Sequence, residues 1–385
     1  MKKDWLHIKF ADAFFLNMGK TPARAEASYW TDGIYPWVSI SDLSGDKFIT
    51  HTKEQISQKA VDETNIHLVP KGTVIMSFKL SIGKTAIAPF DLYTNEAIMA
   101  FEPKPEISIV PDFLYYYLQY YKWSGNRAVM GETINKAVIS NSYADIPPLS
   151  IQRSIVAELD LLHSVISKKK DQLRELDNLA QSLFYQMFGD PITNPMGWEI
   201  KKLGEVGNFA RGVSKHRPRN APELLGGDMP LIQTGDISNS GIYIQQYTQT
   251  YSELGVAQSK IWEPGTLCIT IAANIGKASI LTFKACFPDS IVGFQANHDI
   301  AEILYMYFVF SFLQSILEEN APAVAQKNIN LQILSQVKIP LPPLSLQQSF
   351  AAKVSAIEAQ KQAITQSIHH TEALLAQRMD NYFGI

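Results

Sequence analysis

Residues 146–190 read IPPLSIQRSIVAELDLLHSVISKKKDQLRELDNLAQSLFYQMFGD, and nearly the same text closes the chain, LPPLSLQQSFAAKV from Leu341 and ALLAQRMDNYFGI to Ile385. The openings Ile146–Gln152 and Leu341–Gln347 share Pro-Pro-Leu-Ser and the final Gln, and differ only by Ile/Leu exchange. A double Pro stops one element, a Ser stands where a helix N-cap belongs, and a long apolar-periodic run follows. The same structural statement is made twice. A period near 195 residues is far too long for a solenoid and reads as two copies of one domain plus helix.

The globular parts repeat as well. Trp5–Asp12 answers Trp198–Glu205 at an offset of 193, and Lys71-Gly72-Thr answers Pro264-Gly265-Thr. Ile82-Gly83-Lys84 matches Ile275-Gly276-Lys277, and Phe101 matches Phe294. Tyr35–Asp42 and Met229–Asp236 each read as a strand after Pro that ends at a turn-forming Asp. Aromatic segments with helical spacing follow, Asp112–Trp123 and Ala301–Leu317. The linking segments agree much better than the domains do, which suits two related tasks on two different targets; simple drift after duplication is the competing reading.

The expected fold is α+β, with boundaries at 1–145 (first domain), 146–190 (central helix), 191–340 (second domain) and 341–385 (C-terminal helix). In the central helix the apolar seam runs Ile151, Ile155, Leu159, Leu162, Ile166, Leu173, Leu176, Leu179, Leu183 and Met187, with Lys169 in a vacant place. In the last helix it runs Leu346, Phe350, Val354, Ile357, Ile364, Ile368 and Leu375, interrupted by Lys361 and Thr371. Such narrow stripes are what paired helices share. Each helix would be roughly 58 Å long, and antiparallel packing of the two, as a coiled coil with pseudo-twofold symmetry, is the economical way to bury both seams.

Composition bounds the function without naming it. Apolar residues make up 46% and aromatics 11%, which excludes global disorder, and the formal charge of −3 does not advertise nucleic-acid binding. No apolar run reaches membrane-spanning length and no signal peptide is read, so a cytoplasmic protein is expected. Cys268 and Cys286 lack metal-ligand spacing and read as buried free thiols. No phosphate loop is present: the first Gly of GxxxxGK would fall on Phe78 and Ile271. The histidines lack metal spacing, and neither an AdoMet-type Gly loop, an Asn/Asp-Pro-Pro-aromatic tetrad nor GxSxG occurs. The chain is therefore expected to be non-catalytic, with no cofactor of its own.

The repeated Ile146–Ser150 and Leu341–Ser345, the helix ends Met187–Asp190 and Tyr382–Gly384, and the domain starts Trp5–Gly19 and Trp198–Gly212 together resemble the specificity (S) subunit of type I restriction–modification systems over the full length. That resemblance implies two target-recognition domains, each reading one half of a split double-stranded DNA site, and a helix pair that sets the spacing between the halves. It implies two methyltransferase subunits as partners, with AdoMet carried by them, and nuclease/translocase subunits that can join. A DNA-free scaffold joining two protein-binding domains is the alternative from another class.

Local clusters must carry any DNA contact. Lys84 and Lys277 each follow a Gly turn, where a cation can reach a phosphate. Arg211, Lys215, Arg217 and Arg219 form the densest basic cluster, with Lys20 and Arg24 as its weaker first-half counterpart; forked Arg donors read guanine best. Lys136 beside Asn135, and Lys327 within Gln326–Asn330, stand near amides that could pair with adenine edges. For each, a solvated loop is the bland reading. Trp37, Tyr115–Tyr117, Trp123 and Tyr305 are expected in the core rather than on bases.

Overall fold

The computed structural model describes residues 4–79, 81–123, 126–128, 131–271, 276–319 and 331–384. It divides into two compact units, Met1–Lys170 with Gln366–Ile385, and Asp171–Thr365. Each unit holds one globular domain together with a stretch of both long helices, Leu149–Phe188 and Leu344–Phe383.

In the first unit a four-stranded sheet is formed by Phe14–Met18, Ile98–Pro103, Val74–Ser77 and Thr85–Ile87, in that spatial order and antiparallel throughout. A second sheet has Tyr35–Val38 at its centre. The second unit repeats this plan with Gly207–Arg211, Ile291–Ala296, Leu267–Thr270 and Ala278–Leu281, plus Tyr243–Ile244 at the edge. The register repeats too: Met18 faces Met99 and Arg211 faces Val292, while Met76 faces Met99 and Ile269 faces Val292. Asp42 and Asp236 close their turns as expected, accepting the Ser39 and Gln233 amides at 2.8 and 2.7 Å. The central strands are buried on both faces, which accounts for their continuous apolar runs.

The aromatic segments are helices, Pro111–Tyr120 and Ile303–Glu319, wedged between sheet and long helices. Phe113, Tyr117, Ile155, Leu159 and Phe383 share the first core. Tyr305, Phe308, Phe184, Phe188, Phe350 and Val354 share the second. Trp37, Tyr115–Tyr117 and Tyr305 are buried and Trp123 packs partly buried against the core, as expected for packing aromatics. Within each unit the two long helices run antiparallel. In the first, Glu158 meets Arg378 (2.8 Å) and Lys170 meets Glu372 (3.2 Å). In the second, Asp177 meets Lys361 (2.6 Å) while Phe184 meets Phe350 (ring centroids 5.6 Å).

The long helices depart from the expected pattern in two places. Ile151 and Leu179 are exposed; Gln152 is buried beside the first, and Ala180, Phe184 and Phe188 beside the second. In the second unit the reason is the aromatic helix: Phe184 stacks on Tyr305 and Phe308 (centroids 5.7 and 5.8 Å), so the buried face is shared by three helices and is wider than a two-helix seam. Lys361, in the seam, is held protonated: burial pushes it down, but Asp177 and Glu358 outweigh that and raise it above its ordinary value.

The other departure is at Pro-Pro-Leu-Ser. Ser150 and Ser345 lie one residue inside their helices and are not caps: the Pro148 carbonyl already accepts the Ile151 and Gln152 amides, and the Pro343 carbonyl those of Leu346 and Gln347. The side chains of these two glutamines do the joining, and both are fully buried. Gln152 donates to the carbonyls of Pro147 (2.7 Å) and Ser108 (3.0 Å) and accepts the Val110 amide (2.7 Å). Gln347 donates to Pro342 (2.8 Å) and Ile300 (3.1 Å) and accepts the Glu302 amide (2.9 Å). One amide in each unit thus fastens the long helix to the chain leading into the aromatic helix.

Candidate nucleic-acid interface

The candidate residues gather at one end of each four- or five-stranded sheet, and a chain of backbone hydrogen bonds shows why. The chain leaves the first sheet strand at Gly19, whose amide donates to Ile98 (3.2 Å), and Lys20 then donates to Thr94 (2.8 Å). In the second unit Gly212 donates to Ile291 (2.9 Å) and Val213 to Phe287 (3.1 Å). Every residue here has moved by the same 193 positions. The approach is too close for a side chain: a Cβ on Gly19 would lie 2.1 Å from the Thr94 carbonyl oxygen, and one on Gly212 would lie 2.2 Å from that of Phe287.

Next to this crossing stand the Gly-turn hairpins. Ser77 donates to Lys84 (2.8 Å) and Gly83 back to Ser77 (3.0 Å); Thr270 donates to Lys277 and Gly276 to Thr270, both at 2.9 Å. Gly83 and Gly276 take φ of +85° and +81°, the left-handed conformation that favours glycine. Lys84 and Lys277 follow with exposed side chains. Phe78 donates to Ala97 (3.0 Å) and accepts the Ile134 amide (3.2 Å), which draws in the segment that begins the helix Lys136–Asn141. Lys136 is exposed there. Its neighbour Asn135 is the helix N-cap, accepting the Val138 amide at 2.9 Å, and is itself exposed. Lys327, Gln326 and Asn330 lie outside the described residues.

The basic loops are tied down rather than loose. Lys20 donates to the Thr64 carbonyl (2.6 Å). The Arg24 guanidinium lies 3.8 Å over the Trp30 ring and is forked on Glu54 at 2.5 and 2.9 Å. Its hydrogen bond to Glu54 raises the Arg24 pKa, and the same bond holds Glu54 below the usual carboxylate range. In the second unit Arg211 ends its strand, and the Lys215 and His216 amides donate to Gln258 (2.5 and 3.0 Å). Arg217 donates to the Ser214 carbonyl (2.6 Å), and Arg219 pairs with Asp289 (2.5 Å), which also lies 3.7 Å from Arg217. These pairs are exposed and worth about 0–1 kcal/mol each, so a better acceptor can replace the carboxylate.

The structure therefore brings Lys20, Arg24, Lys84 and Lys136 onto adjoining segments of the first unit, and Arg211, Lys215, Arg217, Arg219 and Lys277 onto the equivalent segments of the second. Sequence reasoning missed the acids of these loops, Glu54 on Arg24, Glu96 on Thr21, and Asp289 on Arg219 and near Arg217. A signal for two of them was present, since Glu96 and Asp289 stand 193 apart, as do Arg24 and Arg217. Among the described residues no group of His, Cys, Asp or Glu could hold a metal ion, and Cys268 and Cys286 are buried free thiols. Among the same residues no helix is long and apolar enough to cross a membrane.

Comparison with known proteins agrees with this repeat. The Type I restriction modification DNA specificity domain family matches residues 2–177 and again 195–371. The chain is 24% identical to the type I restriction enzyme MjaIX specificity subunit of Methanocaldococcus jannaschii, over 92% of this chain and 87% of that one. It is likewise 24% identical to the putative MjaX specificity subunit of the same organism, over 84% and 80%. A chain solved in work on complex assembly and conformational transition of the type I R-M system shares the fold at TM-score 0.67, with 19% identity and coverage of 99% and 98%. With both halves matched separately, the chain belongs to the type I restriction–modification DNA specificity family and carries its domain twice.

Proposed function

We propose that this chain selects a bipartite DNA target, one half-site per unit, and itself performs no chemistry. The observation that carries this reading is the repetition of the basic loops: the same end of the same sheet, at a single sequence offset, bears exposed cations in both units. A net charge of −3 is no obstacle, because affinity for phosphates depends on local cations and counterion release rather than on the total. The long helices act as the spacer. A 40-residue helix is about 60 Å long, enough to span the 34–36 Å or so that separates half-sites one turn apart.

Two methyltransferase subunits, which carry AdoMet, are the partners this reading requires, with nuclease/translocase subunits joining them in the cytoplasm. The test is to map methylated adenines in a genome carrying this gene and its neighbours. A split motif with a fixed gap is expected; a contiguous motif, or none, refutes the reading.

A further inference from the structure

The offset that relates the two units also relates an arginine and a carboxylate in each. Arg24 and Glu96 become Arg217 and Asp289, and the intervening backbone contacts shift by the same amount. In the first unit Glu96 accepts the Thr21 hydroxyl. Burial pushes the Glu96 carboxyl up, but Thr21, its own backbone amide, Lys79 and Arg24 together hold it below the usual range. In the second unit Asp289 faces Arg217 at 3.7 Å and Arg219 at 2.5 Å. The surroundings differ: Arg24 has Glu54 and the Trp30 ring, whereas position 219, an arginine, corresponds to Glu26.

In both units a carboxylate sits against the arginine, Glu54 on Arg24 and Asp289 beside Arg217, which argues against a phosphate site because it repels the phosphate that its neighbours would attract. Lys84 and Lys277, on their Gly turns, pair with no carboxylate among the described residues and suit phosphates better. A base pair, in contrast, presents acceptors and donors together. Guanine offers O6 and N7 to a forked arginine, and cytosine offers its amino group to a carboxylate.

We propose that Arg24 with Glu96, and Arg217 with Asp289, read a G·C pair at the corresponding place of each half-site, the arginine taking guanine and the carboxylate taking the cytosine amino group. This rests on the DNA-target reading above. The unlike neighbours, Glu54 on one side and Arg219 on the other, would then separate the half-sites at the adjoining bases.

The test uses the full chain assembled with its methyltransferase partners and a duplex library in which both half-sites are randomised. The unaltered complex should enrich a split motif with a G·C pair in each half. Arg24→Lys, which keeps the charge and loses the fork, should abolish the preference for that pair in one half-site only, a loss of roughly 5- to 150-fold in discrimination, with the salt slope unchanged. Glu96→Gln should relax the same position, and Arg217→Lys its counterpart in the other half. An enriched motif that Arg24→Lys and Glu96→Gln leave intact, with affinity falling evenly on all duplexes, overturns the base-reading assignment while DNA targeting stands. Changes in both half-sites from one substitution overturn it too. If the unaltered complex enriches nothing, DNA targeting itself fails.

Discussion

Replacing Gln152 by Leu is the sharpest test of how the helices are fastened. The side chain is fully buried, and Leu fills similar space without any polar atom. The Val110 amide loses its acceptor, and the carbonyls of Ser108 and Pro147 lose their donor. A buried polar group left unpaired costs about 1–3 kcal/mol. Stranded carbonyls are tolerated somewhat better than stranded amides, so the three together should cost about 3–5 kcal/mol. For a unit of this size that is a fall of about 6–20 °C in Tm. Hydrogen exchange read peptide by peptide under mild urea resolves the units. Gln152→Leu should weaken protection across Met1–Lys170 and Gln366–Ile385, and Gln347→Leu across Asp171–Thr365. A loss under about 1 kcal/mol in either unit would refute the claim that this amide joins helix to domain.

Three further outcomes are expected. Replacing Lys84 and Lys277 by Ala should lower affinity on every duplex alike and reduce the slope of log K against log salt by about one per lysine, measured by fluorescence anisotropy. His163, stacked on Tyr116 at 5.5 Å, is pushed below its ordinary pKa of 6.5, chiefly by burial. The unfolded chain then binds the proton more readily, so the first unit should lose stability as pH falls below about 6.5, and His163→Phe should remove that slope in urea titrations. Deleting four residues from each long helix shortens it by about 6 Å; the mapped spacer should change and the half-site sequences should not.

The repeat, the two long helices and their antiparallel pairing were legible because they rest on spacing, and spacing survives in a bare sequence. The seam fails at Leu179 because a third helix shares the buried face there, and at Ile151 because Gln152 turns inward to its own partners; the sequence announces neither. Gln152 and Gln347 stand in the shared text, but their partners, Ser108, Val110, Ile300 and Glu302, come from distant chain that only the fold brings near. At the candidate interface the basic residues were visible singly. Their ties to Glu54 and Asp289 were not, since those pairs close across 30 and 70 or more residues.

The makeup of the two units has a consequence for synthesis and exchange. The second unit, Asp171–Thr365, is one unbroken length of chain, but the first needs the last twenty residues, Gln366–Ile385, to be complete. Phe383 is part of its core, against Phe113 and Tyr117 at 5.6 and 5.7 Å. On the ribosome, the second unit has all its residues before the first does, although it is translated later. A chain stopped at Thr365 should leave the second unit whole and the first without a wall. For swapping recognition domains between relatives, cuts near residues 170 and 366 carry each core across entire, whereas cuts at the Pro-Pro-Leu-Ser segments divide both.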